Sequence, residues 1–190
     1  PQISKNVYRY TVEYMRDTKK VHNLIYEYGP GSSAETLDDY AQRYPGDAYV
    51  DLVGFDMYDN QPADDGVFMG QLKKQLQLVE QFAKQHNKLV AVTETGAANE
   101  NDLALLPTGN GNKDWYNQVL DIVSESEASY FLVWADWGKD GAFYVPYVDA
   151  VNADGSLHGH EMLDHFITFY NDQRTIFAAN QKEALASGSF

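Results

Sequence analysis

The sequence contains no cysteine, which excludes a disulfide framework, a thiolate metal site and a cysteine nucleophile, and leaves both reducing and oxidising compartments open. It is also short of positive charge, with 14 Lys and Arg against 28 Asp and Glu, a formal net charge of −14. Most of such a surface repels a polyanion, so no nucleic acid is expected among its partners. No uninterrupted apolar run is long enough to span a bilayer. The opening residues Pro1-Gln2-Ile3-Ser4-Lys5 show no basic stretch leading into an apolar one, so no signal peptide is expected within this chain. A glycine-rich phosphate loop is missing, since Gly29-Pro30-Gly31-Ser32-Ser33 reads as an ordinary turn, and so is a Gly-x-Ser-x-Gly nucleophile elbow. No cofactor is implied. His160 and His165 lie roughly 140° apart around a helix and cannot share one ion from it. His158 and His160 are left as a pair in a solvated loop, and no metal is expected.

What is present suits one domain: 190 residues, 44% of them apolar. The 14 Tyr, 9 Phe and 3 Trp are rings of the kind that line sugar clefts and, more often, fill cores. Four β-branched or aromatic runs, His22–Tyr28, Val50–Tyr58, Lys88–Glu94 and Ser129–Ala135, have the length of buried strands. Helix-period patterns separate them. Phe68, Leu72, Leu76, Val79 and Ala83 share one face, and Trp115, Val119 and Ile122 another. A helix carrying Ile3, Val7, Tyr10 and Tyr14 on one side precedes the first strand, and one near Glu161–Asn171 follows the last. Strands alternating with helices predict an α/β protein with a parallel sheet. Eight units of this size need roughly 250 residues, the usual extent of a (β/α)8 TIM barrel, so the chain holds about half of one.

Polar connections 59–66, 97–112 and 138–159 follow the C-terminal ends of the last three strands, where parallel sheets place ligands. Val90-Ala91-Val92-Thr93-Glu94-Thr95-Gly96 is an apolar strand ending in a carboxylate beside a glycine, and a rigid strand end aims that carboxylate. A Glu so placed serves as nucleophile, as base, or as a structural partner for a neighbouring loop. On the second run, period two puts Leu52, Gly54, Asp56 and Tyr58 on one face and Val53, Phe55 and Met57 on the other, against the helices. Asp56 and Tyr58 then face the barrel axis, to bind a ligand, steady Glu94 or satisfy each other. By the same alternation Leu132, Trp134 and Asp136 share a face; Trp134 is either a sugar-stacking platform or a core plug.

Val53-Gly54-Phe55-Asp56-Met57-Tyr58, Val92-Thr93-Glu94-Thr95-Gly96, Phe131-Leu132-Val133-Trp134 and Phe169-Tyr170-Asn171-Asp172 with Thr175 and Phe177 together resemble the C-terminal half of the glycoside hydrolase family 26 β-mannanases, from the first helix to about Ala178. The resemblance implies a (β/α)8 barrel cleaving β-1,4-mannan with retention, and a secreted, periplasmic or cell-surface location. It implies Glu94 as the nucleophile on the seventh strand, Asp56 and Tyr58 as the sixth-strand pair beside it, and Trp134 as the eighth-strand sugar contact. Many members carry Arg after that tryptophan, whereas this chain has Ala135-Asp136-Trp137, which makes Asp136 and Trp137 further candidates for binding substrate. The helix at Ser4–Arg16 resembles the fourth barrel helix. Residues 1–178 are therefore expected to form a partial catalytic barrel and 179–190 a tail, with the strand bearing the acid/base Glu outside the chain.

A retaining glycosidase needs two carboxyl groups about 5–5.5 Å apart, so the chain alone is expected to be inactive. Glu27, Asp56 and Asp136 are the carboxylates available as stand-ins. A free half-barrel also leaves two strand edges and an apolar inner face, so the expected partners are β-mannan, the missing barrel half or a second copy of the chain. Competing expectations are a non-catalytic carbohydrate-binding module using Trp134, Trp137 and Tyr58, a relative acting on another β-glycan, and a self-standing doubly wound α/β protein.

Overall fold

The computed structural model describes residues 1–31, 33–63, 66–99, 104–137, 142–152 and 154–177. The expected tail, 179–190, lies outside them, as do parts of the three polar connections. Strands β1 (Glu27–Tyr28), β2 (Leu52–Asp59), β3 (Leu89–Ala97) and β4 (Ala128–Val133) pair side by side in chain order, every pair parallel. This is the sheet that the alternating pattern predicts. β1 is shorter than the run from His22 because the backbone just before it is engaged otherwise: the Tyr26 N–H donates to the Asp51 carboxylate at 2.8 Å, and its carbonyl accepts from the Asp51 N–H.

The outer face of the sheet is dry and covered by helices. α1 is Gln2–Glu13, α2 Leu37–Ala41, α3 Val67–His86, α4 Trp115–Ser124 and α5 Leu163–Tyr170. The side chains of α3 that the period puts on one face, Phe68, Leu72, Leu76, Val79 and Ala83, are all buried. They pack against Val53, Phe55, Val90 and Val92, the outward residues of β2 and β3. Asn87 in the left-handed region (φ 52°) ends α3 and turns the chain into β3. α1 departs from the pattern. Its stripe of Ile3, Val7, Tyr10 and Tyr14 is exposed, Ile3 at 80%, and Val12 is the residue of this helix that is buried. That stripe continues into exposed Ile25 beside β1, forming an apolar seam with no partner among the described residues. Among those residues no helix is long and apolar enough to cross a membrane.

The inner face is strongly concave. β1 and β4 are three strand spacings apart, ~14 Å on a flat sheet, yet the Tyr130 hydroxyl of β4 donates to the Glu27 carboxylate of β1 at 2.5 Å. Only a sheet curled into an arc brings those side chains together, as half of a barrel requires.

β3 does not alternate throughout. Phe55 pairs with Val92, but Asp56 pairs with Glu94, so Thr93 is an extra residue in β3. The slip recurs against β4, where Val92 pairs with Phe131 and Thr95 with Val133. It changes the parity of the strand: Val90 and Val92 face the outer core, and after the bulge so does Ala97. Thr95 turns outward with Ala97 and is fully buried, its hydroxyl without a hydrogen-bond partner. Such a hydroxyl costs ~1–3 kcal/mol. Thr95→Val, which keeps the shape and removes the polar atom, is therefore expected to stabilise the fold by about 1 kcal/mol. Urea unfolding would show this as a higher midpoint at unchanged slope; a lower midpoint would mean that the hydroxyl is satisfied.

Candidate active site

The bulge decides what Glu94 faces. Gly54, Asp56 and Tyr58 lie on the inner face of β2, and the Thr93 side chain meets Gly54 there. Glu94 shares that face, because the Tyr58 hydroxyl donates to its Oε2 at 2.9 Å. Thr93 and Glu94 thus both point inward, although they are neighbours in sequence. The Thr93 hydroxyl donates to Asp56 Oδ1 at 2.7 Å, so two donor–carboxylate pairs stand side by side at the C-terminal end of the sheet. Burial, then the Glu94 carboxylate, push the Tyr58 hydroxyl up, keeping it protonated and available as a donor. Burial also raises the Asp56 carboxyl above its ordinary value, and the Thr93 hydrogen bond opposes this without cancelling it.

Glu27 is also on this face but starts lower. It pairs with Leu52, whereas Glu94 pairs with Asp56, a backbone offset of about 13 Å along β2. Its carboxylate is taken by Tyr130, whose hydroxyl is itself pushed up by burial and then by Glu27.

Trp134 follows β4 and is half-buried, its backbone N–H donating to the Thr95 carbonyl at 2.9 Å. It packs with Tyr58, Tyr144, Ala98 and Ala104 in a small cluster at the mouth, and Tyr144 lies edge-on to Tyr58 with ring centroids 5.7 Å apart. Gly96 is required here, since a Cβ would collide with the Tyr144 ring. Trp137 is 62% exposed and meets Trp134 edge-on at 6.4 Å. Asp136 is exposed; after burial, it contributes to raising the hydroxyl of Tyr116. Tyr116 belongs to α4, on the outer side, and the alternation that would group Asp136 with Trp134 stops because β4 ends at Val133.

A second polar cluster holds the long loops. His160 reads from sequence as a solvated loop residue, but it is only 3% exposed. Its Nε2 meets the Leu106 carbonyl at 2.6 Å, and its Nδ1 accepts the Met162 N–H, the pattern of a neutral ring protonated at Nε2. Glu161 accepts from the Asn110 backbone and side chain at 2.6 and 2.8 Å and pairs with Lys113 at 3.2 Å. Burial would raise this carboxyl, but those contacts prevail and hold it at about 2. The clamp is thus fully present above the ordinary carboxylate range and is lost as pH falls towards 2. It ties the connection after β3 to the one after β4. No local motif signals it, because the partners are some 50 residues apart.

Among the described residues no cluster of His, Cys, Asp and Glu suits a metal ion. The mouth thus sets carboxylate acceptors beside flat aromatic faces, a combination chemically suited to a neutral polar ligand such as a sugar.

Comparison with known proteins agrees with that character. Residues 1–153 match the family described as Glycosyl hydrolase family 26. The chain is 33% identical over 156 residues to a mannan endo-1,4-beta-mannosidase of Bifidobacterium adolescentis, covering 80% of this chain and 16% of that protein. It is 29% identical over 134 residues to a mannan endo-1,4-beta-mannosidase of Bacillus subtilis, covering 70% and 30%. Among solved structures it is similar to the catalytic domain of a Bacillus sp. JAMB-750 GH26 endo-beta-1,4-mannanase, with a TM-score of 0.79, 34% identity, and coverage of 93% of this chain and 45% of that one. A GH26 beta-mannanase from Bacteroides ovatus gives a TM-score of 0.72 at 27% identity, covering 92% and 44%. The chain therefore spans less than half the length of each of these relatives.

The raised Asp56 carboxyl has a consequence for stability. A group whose folded value lies above its unfolded one contributes most below the unfolded value and loses that contribution as pH rises through the folded one. Ionised Asp56 is thus a cost at neutral pH. Asp56→Asn keeps an acceptor for Thr93 and carries no charge, so its thermal midpoint is expected about 1–3 °C above the parent at pH 7 and equal to it at pH 3. Equal midpoints at both pH values would mean that Asp56 pays no desolvation cost.

Proposed function

The chain belongs to glycosyl hydrolase family 26, and from that membership we propose that it carries the nucleophile half of a retaining active site for β-1,4-mannan. The observation that supports this best is the Tyr58–Glu94 hydrogen bond at the open, C-terminal end of the sheet. Glu94 attacks the anomeric carbon, the glycosidic C–O bond breaks, and the leaving oxygen takes a proton from a second carboxyl group. Water then attacks the glycosyl–Glu94 ester and gives its proton to that second group, releasing Glu94 as carboxylate.

Asp56 is a poor second carboxyl despite its raised value. It rises from the strand next to Glu94, so the two flank the same side of any bound ring rather than opposite sides. Asp136 lies beyond the end of β4, and Glu27 is bound to Tyr130 deeper in the arc. The acid/base group therefore belongs on the far side of a closed barrel. The exposed α1 stripe with Ile25, and the exposed Tyr130 and Leu132 of β4, are the apolar surfaces that a complementary set of βα units would cover. Mannan is an extracellular polymer, so this reading places the assembled enzyme outside the cytoplasm: secreted, periplasmic or at the cell surface.

A second reading rests on the exposure of Trp137 beside Trp134: the chain binds the glycan without cleaving it. One set of measurements separates the two. Assembled with its complementary half, the chain is expected to hydrolyse mannan, and Glu94→Gln to lower kcat at least about a thousandfold while mannohexaose affinity stays within about threefold. Equal loss of binding and turnover would count against Glu94 as nucleophile. Alone, the chain is expected to be inactive and to self-associate through its seams, with Val7→Lys plus Ile25→Lys lowering the mass seen by light scattering. A monomer that binds mannohexaose, loses it on Trp134→Ala and never hydrolyses would favour the binding module.

A further inference from the structure

We propose that Thr93 is a positioning residue for Glu94 and Asp56: seated between Gly29 and Gly54 as the extra residue of β3, it turns Glu94 inward, and its hydroxyl fixes Asp56.

The packing around Thr93 is specific to its shape. It is 4% exposed, so its atoms are spent on the protein rather than on a ligand. Its methyl group occupies the space that a side chain at position 54 would need: a Cβ on Gly54 would collide with Thr93 Cγ2 and lie 2.6 Å from the Ala91 carbonyl oxygen. Its hydroxyl occupies the corresponding space at the end of β1, where a Cβ on Gly29 would lie 2.5 Å from Oγ1. Two neighbouring strands thus give up side chains to admit one threonine. The methyl and the hydroxyl share one Cβ, so a single χ1 sets both, and the methyl against Gly54 and the hydroxyl on Asp56 fix each other. The backbone at Thr93 is then held inward, and the next side chain, which simple alternation would send outward with Val92, points at Tyr58 instead.

Valine keeps the branching but puts a methyl where Oγ1 lies 2.7 Å from Asp56 Oδ1, closer than carbon and oxygen pack, so Asp56 must move. Serine keeps the hydroxyl and loses only the methyl. The kinetic arm of the test rests on the glycosidase reading above, and the structural arm does not. The structural arm places 3-fluorotyrosine at position 58 of the full chain and follows its fluorine resonance. Thr93→Val is expected to shift or broaden that signal and Thr93→Ser, which loses the methyl contact but keeps the hydroxyl on Asp56, to shift it less. In the assembled enzyme Thr93→Val should lower kcat about 10- to 100-fold, as ångström-scale misplacement does, with KM within about twofold, and Thr93→Ser should recover most of the loss. If Thr93→Val does not fold, Thr93→Ala, which removes both contacts without adding bulk, is judged by the same criteria. An unmoved fluorine signal alongside normal hydrolysis overturns the role of Thr93. Absence of hydrolysis by the parent overturns the glycosidase reading instead, and the fluorine signal then decides Thr93 alone.

Discussion

The one-residue slip in β3 is the constraint on which the site depends. Up to Val92 the strand alternates as a buried parallel strand should, with valines outward against α3 and α4. Had it continued so, Glu94 would enter the apolar layer between sheet and helices, where an ionised carboxylate is prohibitively expensive. Leaving Thr93 without a partner in β2 puts Glu94 with Tyr58 and restores small or apolar residues to the outer layer at Ala97. The repair is imperfect, since Thr95 now buries a hydroxyl without a partner. The fold thus accepts a defect on its dry face to place a carboxylate on its wet one.

That division between faces explains why the arc forms and what it leaves open. The outer layer is tightly packed over β2 and β3: Trp115, Tyr116, Leu72, Leu76, Phe82 and Phe55 are fully buried, and rings from β1, α2, α3 and the turn after α2 interlock edge-to-face around Tyr40 and Phe82. The inner layer is narrowed by Gly29, Gly54 and Ala91, which lets the sheet curl until Tyr130 reaches Glu27. Both edges of the arc end in apolar surface, the α1 stripe on one side and the β4 residues on the other.

Much of this was legible in the sequence, and for physical reasons. Period 3.6 in 68–83 and the apolar runs of β2 and β3 report burial, which is local information, so the α/β class and the parallel order could be read directly, whereas the equally apolar run of β4 is half-buried to exposed because it forms an edge of the arc. Asp56 and Tyr58 could be placed inward because β2 is regular. Glu94 could be singled out as a strand-end carboxylate, but not given a face, because a bulge leaves no mark in the pattern Val-Ala-Val-Thr-Glu. The α1 stripe was misleading in the opposite way: its period is real, yet the side chains it aligns are exposed rather than packed on the sheet. His160, Asn110 and Glu161 were invisible as a unit, since their contact is set by how two long loops fold back on each other.

The electrostatic character of the inner face follows from which donors serve it. Glu27, Asp56 and Glu94 each accept from a neutral hydroxyl, those of Tyr130, Thr93 and Tyr58, and no Lys or Arg pairs with them among the described residues. A guanidinium in the same place would orient a carboxylate equally well, but it would also cancel its field and draw electron density from its oxygens. A hydroxyl orients and leaves the charge. For a reaction whose transition state builds positive charge on a sugar ring, an oriented and unquenched carboxylate is the useful one. The same choice explains the burden seen at Asp56, where burial raises the carboxyl and a hydroxyl cannot fully offset it. At Asp56 the inner face therefore keeps a carboxylate in place at a cost to stability that a purely structural sheet would avoid.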